Sequence, residues 1–214
     1  MAKFLIFDLE TTGLDYIKCA IIQLAGYIIE TNENNEFKVL NKFDYKIKPH
    51  ENAIISPEAL NIAKVSTEQI MSYKSSSSIF HEFETLLHSY IDIYNKTDKL
   101  ILVGYNSLHF DQDFLKNWFI INKNKYFFSY FWSNGIDLLS DASKYFIHYR
   151  PAFPNFKLNT IAKALDISFN KENLHNGMKD AELTLKIFLK LYNKSILNWD
   201  EQTAINLFNK LNNS

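Results

Sequence analysis

The stretch FLIFDLETTGL, Phe4 to Leu14, sets Asp8 and Glu10 two residues apart where an apolar run ends. On a strand, side chains at i and i+2 share a face, so the two carboxylates project together. Like charges that close repel, and a buried charge needs a partner. Either this is an exposed strand end with two solvated acids, or something positive sits between them. An oxygen-only ligand set suits a hard cation such as Mg²⁺ or Mn²⁺. The turn at Gly13 follows at once, and ligands of α/β folds collect at the carboxyl ends of strands.

Two further stretches carry acids in comparable places. In GYNSLHFDQDFL, Gly104 to Leu115, a helix is expected from near Phe110, with Asp111 in its first turn. The helix N-terminus favours a carboxylate there. Asp113 is the rival, but two residues along a helix turn by about 200°, so only one of the pair can face a site. Phe114 and Leu115, facing inward, leave Asp111 the better placed. In LHNGMKDAELT, Leu174 to Thr184, five positions separate His175 from Asp180, which is not a same-face helical spacing. The arrangement works if His175 lies in the loop before a helix and Asp180 in its first turns. Asn176 could cap that helix, and Ala181, Leu185, Phe188 and Tyr192 make its core stripe. Taken alone, Asp111 reads as an ordinary first-turn acid and His175 as a surface-loop histidine.

The elements that must position these groups follow from periodicity. Lys3–Phe7 reads as a buried strand, Ala20–Ile29 as a second and Phe37–Ile47 as a third, giving a meander. Ser56–Leu60 begins a helix with a cap followed by proline, and Ser66–Gln69 is a capping box. Ser75–Ser78 reads as a loop. Ile79–Tyr94 is helical, with Phe80, Phe83, Leu87 and Ile91 on one face. Leu100–Val103 is a strand buried on both sides, and Phe110–Ile121 a long helix. Helices are expected over Asp137–Ile147, Leu158–Leu165, Met178–Tyr192 and Trp199–Leu211. One α/β domain, a mixed sheet flanked by helices, accounts for this order.

Composition excludes several classes. Net charge is −1, which argues against broad attraction to nucleic acid or an anionic membrane but allows a local phosphate site. Cys19 is the sole cysteine, so neither an intramolecular disulfide nor a zinc knuckle can form, and a reducing, cytoplasmic setting is the default. No stretch approaches the roughly 18–20 apolar residues of a membrane span. Asp8 and Glu10 end the first apolar run too early for a signal peptide.

In order, D-x-E, N-x4-D and H-x4-D resemble the DEDD exonucleases of the histidine-bearing subclass. That group contains the proofreading epsilon subunit, ribonuclease T and bacterial exonuclease I. FDLETTGL matches the first motif of the family. GYNSLHFDQDFL, IDLL (Ile136–Leu139), Arg150–Pro151 and FKLNTIAKAL (Phe156–Leu165) are most similar to the nuclease domain of exonuclease I. The resemblance covers about Lys3 to Leu191. It implies a ribonuclease H-like α/β fold with a central mixed five-stranded sheet: an antiparallel meander of strands 1–3, then parallel strands. An exonuclease domain over 1–194 is expected, with a C-terminal helix at 195–214 packed on it or at an interface. Gly177 stands where the family usually has alanine, a small-for-small change expected to be tolerated. Exonuclease I has further domains that help enclose its strand; this chain ends about where its nuclease domain would, which puts high processivity in doubt.

The resemblance also implies a chemistry. Asp8 would bridge two Mg²⁺ or Mn²⁺ ions about 3.5–4 Å apart. Glu10 and Asp180 would hold the ion carrying the attacking water, Asp111 the ion beside the leaving oxygen, and His175 would take the proton. Nucleoside 5′-monophosphates would leave from the 3′ end of a single strand, DNA favoured over RNA. Thr11, Thr12, Gly13 and Leu14 fall where the family places backbone contacts to the terminal nucleotide and an apolar wedge against its base, although Leu14 could equally be core. Tyr105 and Asn106 are candidates for sugar or phosphate contact, or simply shape the turn. Phe127, Phe128, Tyr130, Phe131 and Trp132 could stack on bases, but core packing or a protein interface is the stronger reading. Arg150 suits either a phosphate or a surface ion pair. The competing functions are an exoribonuclease or short-oligonucleotide nuclease and, less favoured, a non-cutting end-binding or polymerase-accessory subunit. A protein partner or a homo-oligomer is compatible with all of them.

Overall fold

The computed structural model describes residues 2–32, 34, 36–107, 110–170, 176–192, 205–206 and 209–211. His175 and most of the expected Trp199–Leu211 helix lie outside the described residues.

The sheet is built on β1 (Lys3–Thr11), β2 (Ile21–Thr31) and β3 (Phe37–Lys48), an antiparallel meander. The two-residue β4 (Lys74–Ser75) adds in parallel to β3. On the other side of β1, β5 (Leu100–Gly104) and then β6 (Ile136–Asp137) add in parallel. The order is β4-β3-β2-β1-β5-β6. The sheet thus has six strands where the resemblance implied five and periodicity shows four, because the two edge strands are only two residues long and carry no periodicity to read. The helices are α1 (Pro57–Ala63), α2 (Thr67–Met71), α3 (Ser76–His88), α4 (Asp111–Ile121), α5 (Phe127–Tyr130), α6 (Leu138–Tyr145), α7 (Leu158–Ala164) and α8 (Gly177–Tyr192).

Strand alternation splits the core in two. Leu5, Phe7 and Leu9 of β1 face α3 and α4, packing with Phe83, Phe114, Leu115 and Phe119. Phe4 and Ile6 face the other way, onto Ala181, Leu185, Ile187 and Phe188 of α8. Asp8 and Glu10 continue this second series, so strand period alone aims both acids at the α8 side. Leu211 packs against that same cluster, and Lys210 pairs with Asp166 just beyond α7.

Three local expectations are corrected. Ser75–Ser78 is not a loop: Ser75 caps α3, its hydroxyl accepting the Ser78 N–H at 3.2 Å. Serine favours turns and N-caps for the same reason, a short side chain that reaches the backbone, and the sequence alone does not separate the two uses. The helix read as Ile79–Tyr94 begins at Ser76 and stops at His88, and β1 runs four residues past Phe7.

The β1–β2 register depends on a glycine. Gly26 pairs with Phe7, and a Cβ there would lie 2.3 Å from the Ile6 carbonyl oxygen and 3.2 Å from the Phe7 Cα. Backbone atoms cannot step aside as a side-chain end can. Gly26→Ala is therefore expected to lower stability by at least about 2 kcal/mol. The urea midpoint checks this; an unchanged midpoint would show that the strands can separate more freely than their packing suggests.

Candidate active site

β1 outruns its parallel neighbour. Pairing with β5 ends at Ile6↔Val103, whereas pairing with β2 continues through Asp8↔Ala25 and Glu10↔Gln23. The last turns of β1 therefore border a notch on the β5 side, and the start of α4 fills it. Asp111 is the first residue of α4, 8% exposed, and the Leu9 N–H reaches its carboxylate. Asp113, two residues on, is turned away and only partly buried.

From the opposite layer α8 brings Asp180, in its first turn and also 8% exposed. Oxygens of Asp8, Glu10 and Asp180 lie within 4.8 Å of one another. Asp111 is outside that trio but close enough to act on Asp8 and Glu10 through its charge.

The electrostatics follow. Burial, then the Asp111, Asp180 and Glu10 carboxylates, push Asp8 well above the ordinary carboxylate range. Burial first, then Asp180, lift Glu10 to about 7, with Lys46 pulling the other way. Burial lifts Asp111 to about 7 against its own N–H and that of Leu9, and Asp137 adds to the rise. Carboxylates that hold protons near neutrality because they are buried, and secondarily because they crowd one another, are a site that a positive ion would relieve. With oxygens as the only donors, the set fits a divalent cation of the Mg²⁺ or Mn²⁺ type.

A family model described as an exonuclease, of the RNase T type, matches residues 5–188. The chain belongs to this exonuclease family. DNA polymerase III of the PolC type from Latilactobacillus sakei is 26% identical across 93% of this chain, which corresponds to 12% of that polymerase. Ribonuclease T from Baumannia cicadellinicola is 22% identical, covering 93% of this chain and 88% of the ribonuclease. The chain thus spans only a small part of the polymerases it matches and most of the ribonuclease. Escherichia coli exonuclease I, crystallised with a dT13 oligonucleotide, shares the fold, with a TM-score of 0.69 and 20% identity over 90% of this chain and 41% of that one. The exonuclease I fold is ribonuclease H-like, with the antiparallel strands 1–3 and parallel remainder seen here.

Around the acids of the exonuclease domain, the other expected site residues are disposed unequally. Thr11 closes the turn, its hydroxyl donating to the Gly13 carbonyl at 2.7 Å. Thr12 is fully buried: its hydroxyl donates to the Ile54 carbonyl at 2.6 Å and accepts the Ala20 N–H at 2.9 Å. That side chain is committed to the fold. Leu14, one residue past Gly13, is 86% exposed, which removes it from the core. The Tyr105 hydroxyl donates to the Phe156 carbonyl at 2.5 Å, and burial pushes its pKa up. Asn106 takes a left-handed conformation (φ 59°) that asparagine tolerates, and its N–H donates to Asp137 at 2.9 Å. Arg150 makes no ion pair among the described residues; its guanidinium lies 4.0 Å from the centre of the Phe156 ring.

Three residues near the acids have no role assigned from the sequence. Asp137 caps α6, accepting the Leu139 N–H at 2.9 Å, and its charge bears on Asp111. Lys46 lies across β2 from Glu10, through the pairs Glu10↔Gln23 and Gln23↔Lys46. Gln23 itself is buried, donates to Asp44 at 2.7 Å, and lies 3.1 Å from where a Cβ on Gly177 would be. Glycine at the head of α8 therefore lets the helix settle on β2. Strand register would have found Lys46 and Gln23, but register is fixed only once the hairpin pairing is known.

Proposed function

We infer that the chain is a divalent-metal-dependent 3′→5′ exonuclease that shortens single-stranded DNA and releases nucleoside 5′-monophosphates. One observation carries this: in a member of the exonuclease family, Asp8, Glu10 and Asp180 converge to within 4.8 Å, with Asp111 beside them.

Two divalent cations held by Asp8, Glu10, Asp111 and Asp180 would lower the pKa of an attacking water and offset the charge that builds on the phosphate. His175, just ahead of α8 in the chain, is assigned the proton from that water, as a neutral imidazole near pH 7. The Leu9 N–H favours the ionised form of the Asp111 carboxylate. Leu14 offers an exposed apolar surface to the terminal base, and the Thr11–Gly13 backbone sets how far it projects. Asn106, exposed on the turn after β5, is available to sugar or phosphate.

RNA is the second reading, favoured by the ribonuclease T relative, nearly all of whose length this chain covers. Contacts to the 2′-hydroxyl separate the two substrates.

The test is a time course on 5′-labelled single-stranded DNA and matched RNA with Mg²⁺, Mn²⁺ or EDTA, with Asp8→Ala protein as the contamination control. A ladder receding from the 3′ end, absent in EDTA and in the variant, is expected, and the faster ladder names the substrate. Intact strands under every condition would overturn the reading.

A further inference from the structure

The aromatic run Phe127–Trp132 divides in the folded protein. Phe127, Tyr130 and Phe131 are buried in the core around Phe119. Phe128 and Trp132 are 46% and 39% exposed. Each carries an ammonium over its ring: Lys116 of α4 lies 5.3 Å from the centre of Phe128, and Lys99 lies 5.3 Å from that of Trp132. Lys99 also donates to the Phe128 carbonyl at 2.6 Å, which joins the two pairs. The surface order is therefore Trp132, Lys99, Phe128, Lys116. Tyr126, 59% exposed, sits beside it with Lys125 at 5.7 Å from its ring.

Five cation–π contacts occur among the described residues, and three fall in this one patch. Lys99, Lys116 and Lys125 make no ion pair among the described residues. The acids nearby are otherwise engaged: Asp98 holds Lys3, and Glu84 accepts from Asn124 and Tyr130. Asp113 stands on α4 between the patch and the site.

We propose that this ladder of exposed rings and unpaired ammonium groups is a second binding surface for single-stranded nucleic acid, gripping the strand upstream of the 3′ end held at the acids. The proposal rests on the nuclease reading. Flat rings accept any base by stacking while interleaved cations meet the phosphates, a combination suited to a single strand whatever its sequence. An anionic peptide would use the ammonium groups but leaves the alternation with flat rings unexplained. Lys116 is five residues along α4 from Asp111, about 7.5 Å of helix rise and about 140° around the helix, and Lys99 stands just before β5, whose first residue pairs with Lys3 at the end of β1 away from the acids. A strand that passes from the acids around α4 would meet Phe128 and then Trp132, whose N–H donates to Leu100 at the start of β5. The domain would thereby hold a long substrate with its own surface.

The test is binding of fluorescent single strands in EDTA, where no cutting occurs. An oligonucleotide of about 20 nucleotides and one of about four are titrated against the wild type, Phe128→Ala/Trp132→Ala and Lys99→Gln/Lys116→Gln. The wild type is expected to bind the long strand at least about tenfold more tightly than the short one. Both double variants should lose most of that advantage while their affinity for the short strand is unchanged. The lysine variant should also show a shallower salt dependence. Equal affinity for both lengths in the wild type, or variants that keep the advantage, would overturn the proposal. So would an acidic peptide whose binding is lost in both variants while long-strand binding persists. Cleavage ladders run in parallel separate the two ideas. A wild type that cuts while its variants bind normally sinks only the platform; length-dependent binding without cutting sinks only the nuclease.

Discussion

Asp8→Asn is expected to reduce cleavage at least about 10³-fold, roughly 4 kcal/mol of transition-state stabilisation, and yet to raise the melting temperature in EDTA. Both effects come from the same carboxylate. Asp8 is held above the ordinary range by burial and by Asp111, Asp180 and Glu10, so folding the metal-free protein near neutral pH costs either a buried charge or the uptake of a proton there. Asparagine keeps the shape and removes the charge. A gain of about 2–8 °C is expected for a chain of this size if one to two kcal/mol of that cost is relieved. With Mg²⁺ present the order should reverse, because the wild type gains binding energy that the variant has lost. A variant that is inactive because it is misfolded would melt lower in both buffers. Thermal melts of the two proteins with and without metal, beside the ladder assay, distinguish the cases.

The second large effect is on pH. An acid whose pKa is raised by folding binds more protons in the native state than in the unfolded chain, so stability falls as pH rises between the two values. Glu10 moves from 4.5 and Asp111 from 3.8, each to about 7, and Asp8 moves in the same direction. The metal-free protein is therefore expected to lose stability steadily from about pH 4 to about pH 7, by roughly a few kcal/mol in all. Below that window the opposite slope takes over, since Asp98, lowered by its contacts with Lys3 and the Asp92 N–H, is protonated there. Divalent cation should abolish the fall: a bound cation favours the ionised carboxylates, and its affinity should climb with pH up to about 7 as those protons leave. Melting curves at several pH values in EDTA and in Mg²⁺ test this. A metal-free melting temperature that is flat or rising between about pH 5 and 7, with no response to cation, would mean that the acids do not form one charged cluster.

Much of this architecture is legible in the chain. Each strand of the meander announces itself by apolar content and turn residues, and both D-x-E carboxylates fall on one face because strand period is two. Asp111 at a helix start and Asp180 in a first turn follow from caps and core stripes. The misreadings have physical causes of their own. The edge strands Lys74–Ser75 and Ile136–Asp137 exist only because neighbouring strands present unpaired backbone to them. Ser75 offers the same hydroxyl to a loop or to a cap. The Thr12 hydroxyl is consumed by Ile54 and Ala20, forty-two and eight positions away, a commitment that no local pattern shows.

What the sequence determined by itself was the identity and order of the acids and the face or turn on which each sits, because those depend on local periodicity. Whether they meet was decided by tertiary structure. β1 must extend past β5 to open the notch that Asp111 fills, and α8 must lie across β1 and β2 to bring Asp180 within reach of Asp8 and Glu10. Burial, which raises their pKa values, is a property of the packed layers and of no single segment. The same holds for the aromatic run. Phe127 and Phe128 are neighbours of one type, yet one packs on Phe119 and the other lies under Lys116, because a helix turns adjacent side chains by about 100°. Which of the two faces water depends on where the rest of the core lies.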